Sequence, residues 1–335
     1  MKMFNISTQE VKKQMSDKSK TDIEMKGVSQ ALKKNDGLLI LDGGTITGMQ
    51  ELGADLYGVT CLWQLQFMSS DPKLIERTHL KYFESGADIG MTATYNARVK
   101  YSRFLNKGVQ LLANAKKTAK KNGIKRDLLV AAACGAYGSA AIDSLEYDGN
   151  YGKEVTQKFL ENEHKIKFNE LIKNKDVDIL AYETIPNLLE VRAILNVIKT
   201  HPGAKAWIVV SCKNKDQLRN GESFEEFVKL VEKHDKNGQV EAIGVNCSNP
   251  EDTTAQIKTM RAITDRALIV YPNYGGQFDP VAMKWINDGG LNTPELFAKE
   301  ANEWKKLGSP IIVGGCCRTH FTHVVELDKC LKCCK

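Results

Sequence analysis

The sequence predicts a single-domain (β/α)₈ barrel. Three observations carry that expectation: eight short apolar bursts, helix signatures in the gaps between them, and an extent of about 290 residues, close to the roughly 250 that such a barrel occupies. A doubly wound open sheet is the alternative architecture. In both, ligands gather at the carboxyl ends of the strands, so the residues that finish each burst are where chemistry is to be sought.

The bursts are Leu38–Asp42, Ala87–Ala93, Leu128–Cys134, Val177–Glu183, Ala206–Cys212, Glu241–Cys247, Ala267–Pro272 and Pro310–Cys316. Each is too short for a helix, rich in aliphatic and β-branched residues, and nearly continuous in apolar character, as parallel strands covered on both faces must be. Asp71 followed by Pro72 reads as an N-cap and first helical residue of a helix running toward Gly86, and Thr293 with Pro294 repeats the signal ahead of Gly308. Ser223 and Glu226 form a capping box, after which Phe224, Phe227, Val228 and Val231 fall on one helical stripe. Residues 1–35 are lysine-rich and weakly periodic, with a capping box at Ser7 and Glu10, and read as a helical extension. The barrel is expected over residues 36–326, followed by a cysteine-rich tail over 327–335. No internal repeat or low-complexity linker suggests a second domain.

Composition narrows the function classes. The chain has 335 residues, 42% of them hydrophobic, which excludes disorder as its main state. Its net charge is +6, but residues 1–34 hold eight Lys against four acids, leaving about +2 elsewhere, so a basic face for nucleic acid is not expected. The longest uncharged apolar stretch, Leu128–Ile142, is shorter than the ~18 residues of a membrane span. The first residues lack the apolar core of a secretory signal and, having no Arg, do not resemble a mitochondrial presequence. A cytoplasmic protein, monomeric or a small homo-oligomer, acting on small molecules is the expectation. Nine cysteines, an odd number, point to metal binding or reactivity rather than to a disulfide framework.

The cysteines at strand ends carry the chemistry. Burst six ends in Asn246-Cys247 and burst eight in Gly314-Gly315-Cys316-Cys317, so three thiols converge on one face of the barrel. Three thiolates suit Zn²⁺ and leave a fourth position open, the catalytic rather than the structural pattern. Gly314 and Gly315 are expected to let the backbone turn so that both neighbouring sulfurs reach one ion. Cys61, Cys134 and Cys212 read as small buried hydrophobes, and Cys330, Cys333 and Cys334 as a tail. Two acids sit at equivalent strand ends, Asp42 and Glu183. They could anchor a substrate ammonium while N–H groups of the Gly43-Gly44-Thr45 turn receive a carboxylate, which together would recognise an α-amino acid. Tyr95, Tyr137, Tyr271 and Tyr274, near strand ends, are candidates for holding a cation against their ring faces. GGTITG at Gly43–Gly48 lacks the spacing of a dinucleotide fingerprint.

Taken together, LDGG at Leu41–Gly44, YFESGADIGMTATYNA at Tyr82–Ala97, GAYGSAAIDSLEYDGNYG at Gly135–Gly152, AYETIPNLLEVRAIL at Ala181–Leu195, GVNC at Gly244–Cys247, YPNYGG at Tyr271–Gly276 and GGCCRT at Gly314–Thr319 resemble the homocysteine S-methyltransferase family, in order and over most of the chain. The resemblance implies a (β/α)₈ barrel, zinc on Cys247, Cys316 and Cys317, a homocysteine amino group held by Asp42 and Glu183, and methionine as product. Arg318, Thr319 and His323 match the end of the family signature, where helix-start structure is expected; His320 and His323 are weaker ligand candidates than the cysteines. In the betaine-using branch a Tyr follows the strand-four Glu and the chain is longer; Thr184 here and the short C-terminal end favour a sulfonium donor such as S-methylmethionine or S-adenosylmethionine. Betaine as donor, a zinc or thiol redox sensor, and a zinc hydrolase using Glu183 as base are the rival readings.

Overall fold

A computed structural model describes residues 23–55, 62–97, 103–140, 145–275, 277–279, 284–286 and 293–332. Ser7, Glu10, Cys61, Gly276, Cys333 and Cys334 lie outside the described residues. Eight parallel strands form one sheet: β1 (Leu38–Ile40), β2 (Ile89–Met91), β3 (Leu129–Gly135), β4 (Ile179–Ile185), β5 (Ala206–Val210), β6 (Val240–Asn246), β7 (Ala267–Tyr271) and β8 (Ile311–Val313). Each lies inside or across one of the expected bursts. Strands pair in chain order from β2 to β8, and β8 pairs with β1 through Leu38↔Ile311. A parallel bridge between Leu41 and Ile89, with Asp42 N donating to Ile89 O at 3.0 Å, joins β1 to β2 and closes the barrel. The open-sheet alternative is thereby excluded.

Alternation along the strands sorts side chains to two faces. Leu39, Leu41, Ile89, Ala131, Ala181, Trp207, Val209, Ile269 and Ile312 fill the barrel interior, while Leu38, Ile40, Val130, Leu180, Ile208, Ile243 and Val313 face the helices. The expected caps form. Asp71 Oδ1 accepts from Leu74 N, Thr293 Oγ1 from Leu296 N and Ser223 Oγ from Glu226 N, opening helices Pro72–Glu84, Pro294–Gly308 and Phe224–His234.

Two expected boundaries move. Residues 23–35 are not a separate extension: Val28, Ala31 and Leu32, two of them on the short helix Ser29–Lys34, pack with the interior residues and plug the barrel floor. The plug is fixed by Glu241, whose Oε2 accepts from Val28 N at 2.6 Å and Ser29 N at 3.0 Å. At the other end, residues 327–332 belong to the helix Phe321–Lys332, whose Leu327 and Leu331 are buried. Lys332 there pairs with Asp88 at 2.9 Å. Cys330 packs at the edge of the main core, whereas Cys134 and Cys212 are buried within it. Among the described residues no helix is long and apolar enough to cross a membrane.

Candidate metal centre and amino-acid site

The site residues sit in the last residues of the strands and the first residues beyond them. Cys247 follows β6 directly and takes φ +47, Thr184 inside β4 takes φ +59, and Arg318 after the cysteine pair takes φ +66. Positive φ at non-glycine residues is strained, and three of the four such residues described crowd this one rim. Gly314 and Gly315 serve a different purpose from the turn expected of them. A Cβ on Gly314 would lie 2.7 Å from Leu41 Cβ, and one on Gly315 would lie 2.4 Å from Thr319 side-chain atoms. Their role is close approach, and the left-handed turn falls on Arg318 instead.

The Cys316–Cys317 turn is stitched between two strand ends. Cys316 N donates to Pro272 O at 2.8 Å, Tyr274 N to Cys317 O at 3.0 Å, and Gly315 N to Asp42 O at 3.3 Å. Thr319 Oγ1 donates to Cys316 O at 2.7 Å and accepts from Gly44 N at 3.1 Å, tying the Gly43-Gly44 turn to the cysteines. Cys247 Sγ lies 3.8 Å from Cys317 Sγ, which lies 4.0 Å from Cys316 Sγ, and all three sulfurs fall within 4.8 Å of one another. Three ligands on tetrahedral zinc with bonds of about 2.3 Å stand about 3.8 Å apart, so the spacing and the soft donor set both fit that ion. Among the described residues this is the only such grouping of metal-ligating side chains.

Crowded thiols share protons. Hydrogen bonds with Cys247 and then Cys316 hold Cys317 well below an ordinary thiol. Cys316 is raised by its hydrogen bonds to Cys247 and Cys317 and by burial. For Cys247 the lowering effect of its bond to Cys316 is outweighed by the bond to Cys317 and by burial.

Both expected acids are buried at this rim, Glu183 beside Cys247 and Asp42 with its carbonyl accepting from Gly315 N. Asp42 is 1% exposed; its Oδ2 accepts from Met91 N at 2.8 Å, and its Oδ1 has no partner among the described residues. Burial raises its pKa well above the carboxylate range, against the lowering effect of Met91 N–H, and the charge of Glu183 adds to the rise. Glu183 is pushed up to about 8, chiefly by burial and then by Cys247, while its Oε2 accepts from Tyr271 Oη at 3.3 Å. Each of the two buried carboxylates destabilises the charged form of the other, a strain that a nearby positive charge would relieve.

Other expected residues land differently. Gly44 N–H is taken by Thr319, which leaves Gly43 and Thr45 to supply the carboxylate contact expected of the turn. Asn246 is fully buried and uses both ends of its amide on Thr184, so it positions the site rather than presenting itself to a ligand. Tyr271 is fully buried and orients Glu183. Tyr274 packs edge-on against His323, with Arg318 over its ring at 5.8 Å. Tyr137 sits in a separate cluster with Tyr151 and Phe159. Of the four tyrosines, Tyr95 and Tyr271 have hydroxyls buried near Cys247 and Glu183, and that of Tyr95 has no partner among the described residues. His323 Nδ1 accepts from His320 N at 3.2 Å at the start of the last helix, the structural role expected there, and neither His joins the sulfur cluster.

The strand-end rule missed one segment. After β3, the 3-10 turn Leu145–Tyr147 brings Tyr147 beside Cys247 and Cys317. Arg219, carried by a hairpin of Cys212–Asn214 with Gln217–Leu218, lies 5.3 Å from the Tyr147 ring and donates to Cys247 O at 2.8 Å. Glu146 is 6% exposed and pushed up to about 7, mainly by burial. The signal was present in the LEY of Gly135–Gly152, but a loop position gives no geometric reason to single it out.

Fold and site define a barrel class in which three thiols gather at the carboxyl ends of the strands beside two buried acids. Residues 39–331 match the model of the homocysteine S-methyltransferase family. The chain belongs to that family of methyltransferases. It is 33% identical to homocysteine S-methyltransferase 3 of Zea mays over 84% of this chain and 87% of that one. It is 32% identical to selenocysteine Se-methyltransferase of Brassica oleracea var. italica over 93% of each. The homocysteine methyltransferase MmuM of Escherichia coli, solved in a metallated form, superposes with a TM-score of 0.77 at 28% identity, over 90% of this chain and 98% of that one.

Proposed function

We propose that this protein transfers a methyl group from a sulfonium donor, S-methylmethionine or S-adenosylmethionine, to homocysteine, giving methionine. The observation that carries the reading is the pair Asp42 and Glu183, both buried and close enough to act on each other, with Glu183 beside Cys247 of the sulfur cluster. A redox sensor has no use for an ammonium receptor there.

Cys247, Cys316 and Cys317 would hold zinc, which when bound supplies the Lewis acidity that lets a thiol of ordinary pKa about 8.5 react as thiolate at neutral pH. Asp42 Oδ1 and Glu183 accept the substrate ammonium, and the incoming charge returns both acids to their ionised forms. Tyr271 keeps Glu183 turned toward the ligand. Gly43 and Thr45 N–H groups meet the substrate carboxylate. These contacts fix the acceptor sulfur for in-line attack. A new S–CH₃ bond then forms as the donor's C–S⁺ bond breaks, the electron pair staying on the donor sulfur as a neutral thioether. No protein acid is needed for that leaving group.

The test is methionine formation by zinc-loaded protein, with S-methylmethionine, S-adenosylmethionine and betaine compared, and selenocysteine offered as a second acceptor. Product from a sulfonium donor, abolished by chelation and restored by zinc, is expected. Stoichiometric zinc without product from any donor would overturn the reading. Glu183→Gln separates a hydrolase from a transferase: the former would lose turnover, whereas the latter mainly loses homocysteine affinity.

A further inference from the structure

Cys247 has a second acidic neighbour besides Glu183. Glu146 comes from the segment between β3 and the helix Gln157–Leu171, and that segment is anchored from both sides on one residue. Glu190, fully buried, accepts from Tyr137 N and Tyr151 Oη at 2.6 Å each and meets His164 Nε2 at 2.7 Å. Between those anchors the chain returns so closely on itself that a Cβ on Gly138 would lie 2.6 Å from Glu146 N. Glu146 is therefore seated firmly, and its Oε2 is buried without a partner among the described residues. Cys247 and Arg219 are among the charged groups near enough to act on it, and Tyr95 lies beside both Glu146 and Cys247.

A buried carboxylate oxygen left without a donor costs free energy unless a ligand completes it. With aromatic rings alongside, the ligand that fits best is a cation. Asp42 is bonded through its carbonyl to Gly315, next to Cys316, whereas Tyr147 adjoins Cys247 and Cys317. Both acidic subsites thus border Cys247, the amino-acid one through Glu183 and this one through Glu146, and Tyr147 extends the latter toward Cys317.

We propose that Glu146, with the rings of Tyr95 and Tyr147, forms the seat of the methyl donor's onium cation, so that the donor approaches past Cys247. The proposal rests on the transferase reading and extends it to the second substrate. It also gives a reason for turnover: once the methyl leaves, the donor sulfur is a neutral thioether, and its attraction to Glu146 is gone.

Two measurements test it. In zinc-loaded Glu146→Gln, the donor KM should rise at least about tenfold, the loss expected when one partner of a buried charge pair is neutralised. Homocysteine KM, zinc content and melting temperature should stay near those of the parent protein. Glu146→Asp should recover part of the donor affinity. A merely structural role would instead lower the melting temperature and disturb both substrates together. Independently of folding of any variant, calorimetry on the parent protein without homocysteine should show trimethylsulfonium binding at least about tenfold more tightly than neutral tert-butanol. A folded Glu146→Gln with unchanged donor KM, or equal binding of the two probes, overturns the proposal. Absence of methionine from every onium donor would instead overturn the transferase reading, and the calorimetry would still judge the cation seat.

Discussion

Asn246 and Thr184 exchange two hydrogen bonds across the top of β5: Asn246 Oδ1 accepts from Thr184 N at 2.8 Å, and Nδ2 donates to Thr184 Oγ1 at 2.8 Å. The clamp holds Thr184 at φ +59, between the buried Glu183 and Cys247 of the sulfur cluster. The spacing of acid to sulfur is set by this pair more than by the strands themselves. Asn246→Ala leaves the buried Thr184 N–H without an acceptor and should cost about 1–3 kcal/mol in urea unfolding. Homocysteine KM should rise as well; an unchanged KM would show that the clamp serves the fold alone.

Loss of one sulfur should be decisive. Cys247→Ser is expected to bind no stoichiometric zinc by elemental analysis and to form no methionine, since a neutral hydroxyl is a poor replacement for thiolate on this ion. Full activity in metal-free Cys247→Ser would sink the mechanism.

Gly44 shows how the two turns depend on each other. A Cβ there would stand 2.6 Å from the carbonyl oxygen of Cys316, a backbone atom that cannot swing away. Gly44→Ala should therefore displace the cysteine turn and weaken zinc by about tenfold in a competition with a chelating dye, the usual scale for groups supporting a metal ligand. The variant should still fold, because φ is −61 at this residue and alanine adopts it freely.

His79 links stability to acid. It lies inside the helix Pro72–Glu84, 1% exposed, with neither ring nitrogen partnered among the described residues, and burial lowers its pKa from 6.5 to about 4. The unfolded chain takes up this proton first as pH falls. The contribution of neutral His79 is thus present above about pH 6.5 and is lost as pH drops toward 4, by on the order of 3 kcal/mol. Comparing urea midpoints at pH 7 and pH 4.5, His79→Leu should show a smaller loss than the parent protein; equal losses would exclude His79 as the acid-sensitive group.

The parts of this molecule legible in the sequence are those governed by period and punctuation. Strands buried on both faces read as continuous apolar bursts, and Asp71, Ser223 and Thr293 announce their helices because capping is a local contact. Cys247, Cys316, Cys317, Asp42 and Glu183 were visible because strand ends of a barrel converge by construction. Glu146, Tyr147 and Arg219 were not, since they arrive on a 3-10 turn and a hairpin whose placement depends on the distant Glu190. The partners of Asn246 and Gly44 were not foreseen for a related reason. A side chain at the right address can already be engaged by a neighbour such as Thr184 or Thr319, and only three-dimensional partners reveal it.

The floor plug also imposes an order in time. Val28 and Ser29 donate to Glu241 across 213 and 212 positions of sequence, and Gly27 N donates to Asp178 O. On a ribosome the stopper is made first and its socket much later, so it waits, unseated, until the sixth strand has emerged. Closure of the barrel's lower end is then a late event in folding, as contacts of such separation generally are. A nascent chain lacking residues 23–34 would complete its cylinder with apolar floor and the Glu241 carboxylate open to water, a form for chaperones to recognise.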